Sequence, residues 1–402
     1  MNAQVKPGAE ISRRPCPSCG TEVQTVLADD DVIQRAPCPS CAREVILSRF
    51  VRMDIALSEY CNLSCQMCRR PSEALFIDAD FCKRSMTEAV EAGVQYLSFS
   101  GGEPFVHPKI WELLEHAFSL GVKVQMVSNG TLLREKHLPL LSRLDCLTIS
   151  IDGTEAAHDL IRKRPGTYQR SLKTIRLLAE KTDIQWGTNT VMQRDNYDCL
   201  YDSFKAIQAI GGFKYAYCGF SHVEVVPETA HLMMTPEETR IAHEQIRRIE
   251  ADCKATNTWF NDREMLLGHF DTYAQKDLRY RPIDGCRIPQ KFIGLSDHGF
   301  YLCWHQGRNI RTESLIEGLD SELARDIVRE GREKRCVACN CFNYSWDAEW
   351  NAGIMASAQA GAAVDPKARS VEHGLVALRV PDRVRMVVGG SAGNTLDLHE
   401  LS

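Results

Sequence analysis

From Arg49 onward the chain alternates short apolar runs with stretches in which apolar residues recur every three or four positions. The runs predict strands near 53–57, 94–99, 122–127, 145–151, 184–192 and 214–220. The intervening stretches predict helices near 79–92, 108–120, 134–142, 167–181, 197–210 and 236–254. Ile110, Leu113, Leu114, Ala117 and Phe118 fall on one helical face, as do Leu172, Ile175, Leu178 and Ala179. Six strand–helix units in succession imply a parallel sheet covered by helices. Six are too few to close an eight-stranded barrel, so the expected class is α/β, a partial (β/α)6 TIM-like barrel with a lateral mouth. Beyond about residue 255 the alternation stops. Phe292-Ile-Gly-Leu and the residues leading to Cys303 then predict a β-hairpin turning at Asp297-His298-Gly299. From Asn351 the tail is rich in Ala and Gly, with two short apolar runs that predict at most a small hairpin or flap.

Composition sets bounds on this pattern. With 402 residues, 44 % hydrophobic and 25 % charged, the chain has ordinary globular composition and room for one large domain with appendages. No stretch approaches the roughly 18 consecutive apolar residues of a membrane helix. The polar start MNAQVKPGAE lacks a secretory hydrophobic region, so a cytoplasmic protein without membrane contact is expected. Of the 17 cysteines most are clustered, and in a reducing compartment clustered cysteines point to metal sites more than to disulfides. A net charge of −5 argues against a surface for duplex nucleic acid.

Twelve of the cysteines fall into three groups. Cys16-Pro-Ser-Cys19 and Cys38-Pro-Ser-Cys41 are two matching C-x2-C knuckles 18 residues apart, the spacing of a four-cysteine zinc ribbon with a short hairpin between the knuckles. A rubredoxin-like iron site has the same ligands. Between the knuckles, Val23, Val26, Leu27, Val32 and Ile33 are too few to fold unaided, so the metal supplies much of the folding free energy. The second group, Cys61-Asn-Leu-Ser-Cys65-Gln-Met-Cys68, follows the first predicted barrel strand. Three thiolates so close can hold three corners of an iron–sulfur cube and leave the fourth iron open to a small molecule. The structural alternative is a zinc knuckle completed by a distant residue such as His107. The third group is Cys286, Cys303, Cys336, Cys339 and Cys341.

The C-x3-C-x2-C pattern, Ser100-Gly-Gly-Glu-Pro104, Ser128-Asn129-Gly130 and Ser150-Ile151-Asp152-Gly153, in that order, resemble the radical S-adenosylmethionine superfamily. The resemblance implies a 4Fe-4S cluster on Cys61, Cys65 and Cys68 whose open iron chelates S-adenosylmethionine. One electron then cleaves the sulfonium to a 5′-deoxyadenosyl radical, which takes a hydrogen atom from substrate. It also implies that Gly101, Gly102 and Glu103 cradle the methionine amino group and that Asn129 and Ser150 serve ribose or carboxylate. Arg162 falls where related enzymes place an arginine on that carboxylate, although a solvated helix charge fits the sequence equally. Asn189, within Thr188-Asn189-Thr190, is a further polar candidate, and Met67 stands where it could lean on the adenine. The third cysteine group resembles the SPASM/twitch extension and implies one auxiliary 4Fe-4S cluster held by Cys286, Cys303 and two of Cys336, Cys339 and Cys341; a second zinc site would use the same ligands. No cysteine follows Cys341, so the second auxiliary cluster of the longer SPASM form is not expected.

Together these readings divide the chain into a zinc ribbon (11–49), a radical S-adenosylmethionine partial barrel (50–255), a small α+β twitch-like domain (256–350) and a tail (351–402). Cys82, Cys146, Cys199 and Cys253 are expected to be buried small hydrophobes. Cys218, near the exit of the last barrel strand, is a candidate to return a hydrogen atom to the radical. The expected function is radical modification of a peptide or protein, with oxidation of a small biosynthetic intermediate as the alternative. An external electron donor of flavodoxin or ferredoxin type is implied. Nucleic-acid modification would need a basic stripe with stacking aromatics, whereas Arg247, Arg248, Arg325, Arg329 and Arg332 recur at the spacing of solvated helix faces. A non-enzymatic metal scaffold is the remaining class.

Overall fold

A computed structural model of the protein describes residues 10–68, 75–211, 217–222, 228–256, 259–260, 288–303 and 308–333. Five strands and their helices follow the sequence pattern closely. The strands are β5 (Arg52–Ala56), β6 (Tyr96–Ser100), β7 (Lys123–Ser128), β8 (Cys146–Ser150) and β9 (Gln185–Met192), and a sixth, β10, runs Tyr217–His222. Helices α1 (Ala79–Glu91), α2 (Ile110–Ser119), α5 (Thr167–Lys181), α6 (Leu200–Gln208) and α7 (Pro236–Thr256) lie where periodicity places them. The region near 134–142 is a 3-10 turn, Glu135–His137, followed by the single-turn α3 (Leu138–Leu141). The short α4 (Glu155–Ile161) precedes α5.

These strands lie in sequential, parallel order, which buries alternate residues against the helices. Met53, Ile55, Leu97, Phe99, Val124, Met126, Leu147, Ile149 and Trp186 form that covered row and share one core with α1, α2 and α5. The opposite row is polar. Arg52 Nε donates to Asp54 Oδ1 at 2.5 Å, and Arg52 NH2 donates to Ser98 Oγ at 3.0 Å. Register continues that row through Gln125, Cys146 and Gln185.

Among the described residues the sheet has nine strands instead of the expected six, in the order β11-β10-β9-β8-β7-β6-β5-β12-β13. Strand β12 (Phe292–Ser296) pairs in parallel with β5, and β13 (Gly299–Tyr301) returns antiparallel through the predicted turn. The hairpin assigned to a separate C-terminal domain therefore extends the barrel sheet. Sequence spacing could not show this, because the pairing joins segments more than 230 residues apart. At the other edge β11 (Trp259–Phe260) pairs with β10, and among the described residues the two edges of the sheet do not pair with each other, so the barrel is open.

The N-terminal region holds four strands where one hairpin between the knuckles was expected. Strands β1 (Glu10–Pro15) and β2 (Glu22–Leu27) pair with each other, as do β3 (Ile33–Pro37) and β4 (Glu44–Ser48). Each knuckle is thus the turn of its own hairpin. Two sides of this ribbon are fastened within the chain. Arg14 NH2 donates to Val90 O at 3.1 Å at the end of α1. Opposite, Gln290 Nε2 donates to Asp29 O at 2.6 Å, and Arg332, on α8 (Glu322–Glu333), pairs with Asp29 at 2.8 Å and with Asp30.

Candidate active site

The sequence motifs meet at the C-terminal ends of β5 to β9, the edge where parallel sheets bind ligands. Following β5, residues 57–68 carry the three cysteines past the turn that follows β6. Gly101 has φ +124°, and a Cβ there would lie 2.7 Å from Ser58 O. A Cβ on Gly102 would lie 2.0 Å from Tyr60 O. In turn, Gly102 N donates to Ser58 O at 2.6 Å and Glu103 N to Tyr60 O at 3.1 Å. The two glycines are therefore needed by the approach of two backbones, a role beyond the ligand cradle expected from sequence.

Glu103 is fully buried and accepts from Ser128 Oγ (2.8 Å), Asn129 N (2.8 Å) and Phe105 N (3.2 Å). Burial outweighs these bonds and pushes its carboxyl up to about 7. Three of about four acceptor positions are thus taken by the protein, which makes Glu103 chiefly a tie between the β6 and β7 turns. Asn129 continues the network: its Nδ2 donates to Asn62 Oδ1 at 2.8 Å and lies 3.8 Å from Cys61 Sγ, while Oδ1 accepts from Thr131 Oγ1 and N. Leu63 N also donates to Cys61 Sγ, at 3.4 Å. Burial pushes the Cys61 thiol up to about 11 and raises that of Cys65, the latter opposed by Arg162.

Arg162 is not a solvated helix charge. It is 8 % exposed and its Nε and NH2 contact Asp152 Oδ2 at 2.6 and 2.5 Å, while NH1 donates to Cys65 Sγ at 3.6 Å. Asp152 has no solvent exposure, and its other oxygen accepts from Val191 N at 2.9 Å. The sequence signal for this pair is a carboxylate, Asp152, ten residues before an arginine, Arg162, across a short helix. The end of α4 also grips the cysteine loop, since Gln66 N donates to Ile161 O at 2.8 Å and Arg164 NH1 to Asn62 O at 3.0 Å.

Ser150, the last residue of β8, and Asn189, within β9, are register partners, both half-exposed on the polar side. Met67 is half-buried against the main core. In β10, Gly219 is the register partner of Asn189, whereas Cys218 pairs with Thr188, one row away. Cys303 is buried just after β13, and Cys286, Cys336, Cys339 and Cys341 lie outside the described residues, as does the tail. His107 cannot complete a zinc site here: its Nε2 is bonded to Ile77 O and its Nδ1 accepts from Lys109 N, both at 3.1 Å. Cys82, Cys146 and Cys253 are buried and Cys199 is half-buried; burial pushes the thiols of Cys82 and Cys146 up to about 12, as expected of small hydrophobes.

The residues present fit an iron–sulfur cluster. Backbone and side-chain N–H groups aimed at Cys61 and Cys65 are what ligating thiolates accept. In the ribbon, Cys16, Cys19, Cys38 and Cys41 bring all four sulfurs within 4.8 Å, with Cys16–Cys41 at 3.6 Å and Cys19–Cys38 at 3.5 Å. A tetrahedral ion about 2.3 Å from each sulfur would separate them by roughly 3.8 Å, whereas a disulfide would require about 2.05 Å.

His158 adds a pH dependence. Its Nδ1 accepts from Asp152 N at 3.1 Å, its Nε2 is buried with no hydrogen-bond partner, and burial pulls the imidazole down to about 4. The folded protein thus binds this proton later than the unfolded chain, so stability present above pH 6.5 is lost on acidification toward pH 4. At about 1.4 kcal/mol per pH unit the loss is roughly 3 kcal/mol. Glu103 has the opposite slope between pH 4.5 and about 7, so wild type alone would not isolate the effect. Urea midpoints of wild type and His158→Gln at pH 4.5 and 7 should show the smaller acid loss in the variant; equal losses would remove the histidine from the account.

Residues 55–207 match the description of the Radical SAM superfamily. The AdoMet-dependent heme synthase of Methanosarcina barkeri is 31 % identical over 166 residues, 40 % of this chain and 47 % of that one. The PqqA peptide cyclase of Gluconobacter oxydans is 32 % identical over 162 residues, 39 % and 45 % of the two chains. The chain thus spans less than half the length of these curated relatives. The crystal structure of Streptococcus suis SuiB bound to S-adenosylmethionine superposes with a TM-score of 0.53 at 18 % identity, covering 69 % of this chain and 65 % of that one, a likeness of fold.

Proposed function

The chain carries a radical SAM superfamily domain in residues 55–207, and on that premise we propose that the protein reductively cleaves S-adenosylmethionine and abstracts a hydrogen atom from a peptide or protein substrate. The observation that carries the reading is the set of donors on Cys61 and Cys65 within a cysteine loop fixed by Gly101, Gly102 and α4. Cys61, Cys65 and Cys68 would hold the 4Fe-4S cluster, which when bound supplies the electron for cleavage. Asn129 and Arg162 direct N–H groups to the sulfurs. Gly101 and Gly102, with the half-exposed Ser150 and Asn189, line the edge where the methionine and ribose would be bound. The polar row below them, with the Arg52–Asp54 pair, lies on the same face of the sheet as Ser150 and Asn189.

The peptide reading is supported by the similarity to a peptide cyclase. The similarity to a heme synthase favours a second reading, a small biosynthetic intermediate. We assign the ribbon a zinc ion and the group around Cys303 an auxiliary 4Fe-4S cluster, with an electron donor of flavodoxin or ferredoxin type in the cytoplasm. The test is reductive cleavage itself. Anaerobically reconstituted wild type with dithionite should form 5′-deoxyadenosine, and Cys65→Ala should form none while keeping its far-ultraviolet circular dichroism. Continued formation by the variant would refute the assignment.

A further inference from the structure

We propose that Arg162, aimed by Asp152, is a positioning residue that tunes the reduction potential of the cluster through Cys65, an inference that rests on the cluster assignment above. A buried cation needs a reason to be there, because an arginine is seldom removed from water unless paired. Asp152 supplies the pair and also the aim. One carboxylate oxygen takes both Nε and NH2, the other is occupied by Val191 N, and the carboxylate has no solvent exposure. The guanidinium plane is thereby fixed with NH1 on Cys65 Sγ at 3.6 Å. His158, which accepts from Asp152 N, and Asn196 Nδ2, which donates to Asp152 O at 2.9 Å, hold the backbone of the aspartate.

The consequence is electrostatic. Reduction adds one negative charge to a cluster that three thiolates already make electron-rich, and hydrogen bonds to ligating sulfurs favour the reduced form. A fixed cation bonded to one of those sulfurs in a low-dielectric site strengthens that preference. Cys61 receives neutral donors, Leu63 N and Asn129 Nδ2, whereas among the described residues the cation on a cysteine of this loop is at Cys65. Asp152 does not touch the thiol; it acts through the arginine.

The test is a redox titration of reconstituted protein, followed by the electron paramagnetic resonance signal of the reduced cluster. Arg162→Lys should retain the ion pair with Asp152 but cannot keep a planar fork on both Asp152 and Cys65. It should fold and carry as much iron as wild type, yet show about tenfold less reduced cluster at a fixed potential, equivalent to about 59 mV for one electron. Arg162→Gln should show at least that loss. An unchanged potential in Arg162→Lys at full iron content would overturn the proposal. So would loss of folding or of iron in Arg162→Lys, since the arginine would then be a structural brace. Absence of iron from wild type would instead refute the cluster assignment, and the two failures are distinct.

Discussion

Gly102→Ala is expected to abolish iron loading at Cys61, Cys65 and Cys68 although it removes no ligand. The added methyl would stand 2.0 Å from Tyr60 O and 2.5 Å from Tyr60 C, and these are backbone atoms that cannot rotate aside. Relief requires the 58–61 segment to move away, which breaks the bonds from Gly102 N to Ser58 O and from Glu103 N to Tyr60 O and displaces Cys61. Iron per chain after reconstitution should fall by about the four irons of this one cluster, and 5′-deoxyadenosine should fall to background, while the auxiliary cluster and the helices of the barrel persist. Gly121→Ala is the control. It has φ +70° and nothing within 4 Å of a Cβ, so it should cost only the left-handed backbone penalty, about 1 kcal/mol, and leave iron unchanged. Normal iron in Gly102→Ala would mean that the loop adapts and that the glycine pair has no part in building the site.

Loss of the ribbon metal should have the second large effect. The ribbon's own cluster of buried apolar residues is Val23, Val45 and Leu47 around Cys16 and Cys38, too small to fold without help. Structural zinc contributes on the order of 10 kcal/mol of apparent folding free energy in zinc-finger peptides. Cys38→Ser should therefore release zinc, and strands β1–β4 should lose their amide-exchange protection. The damage should spread beyond the ribbon. Arg332 would lose Asp29 and Asp30, Gln290 would lose the carbonyls of Asp29 and Asp31, and Arg14 would release the end of α1. Faster exchange in α8 and at the end of α1 is the signature to measure. Zinc loss with those helices still protected would make the ribbon an independent appendage.

Strand–helix alternation, the open parallel barrel and the cysteine groups are legible in the order of residues alone. Apolar periodicity and short-range ligand spacing are local properties, and residues such as Leu172, Ile175 and Leu178 or the Cys16–Cys19 knuckle declare them without reference to distant segments. The turn at Asp297-His298-Gly299 was legible for the same reason. Features that depend on distant contacts are not legible there. Only chain closure in space sets β12 beside β5, and only the crossing of two backbones explains Gly101 and Gly102 as spacing residues. Burial made the larger difference at Arg162. In sequence it reads as a helix charge or a carboxylate ligand, since a side chain's solvent exposure is not a local property; in the fold, the buried Asp152 removes the guanidinium from water and turns it onto Cys65. The same holds for His107, whose chemistry suits a metal but whose two nitrogens are both taken by backbone groups that the fold brings to it.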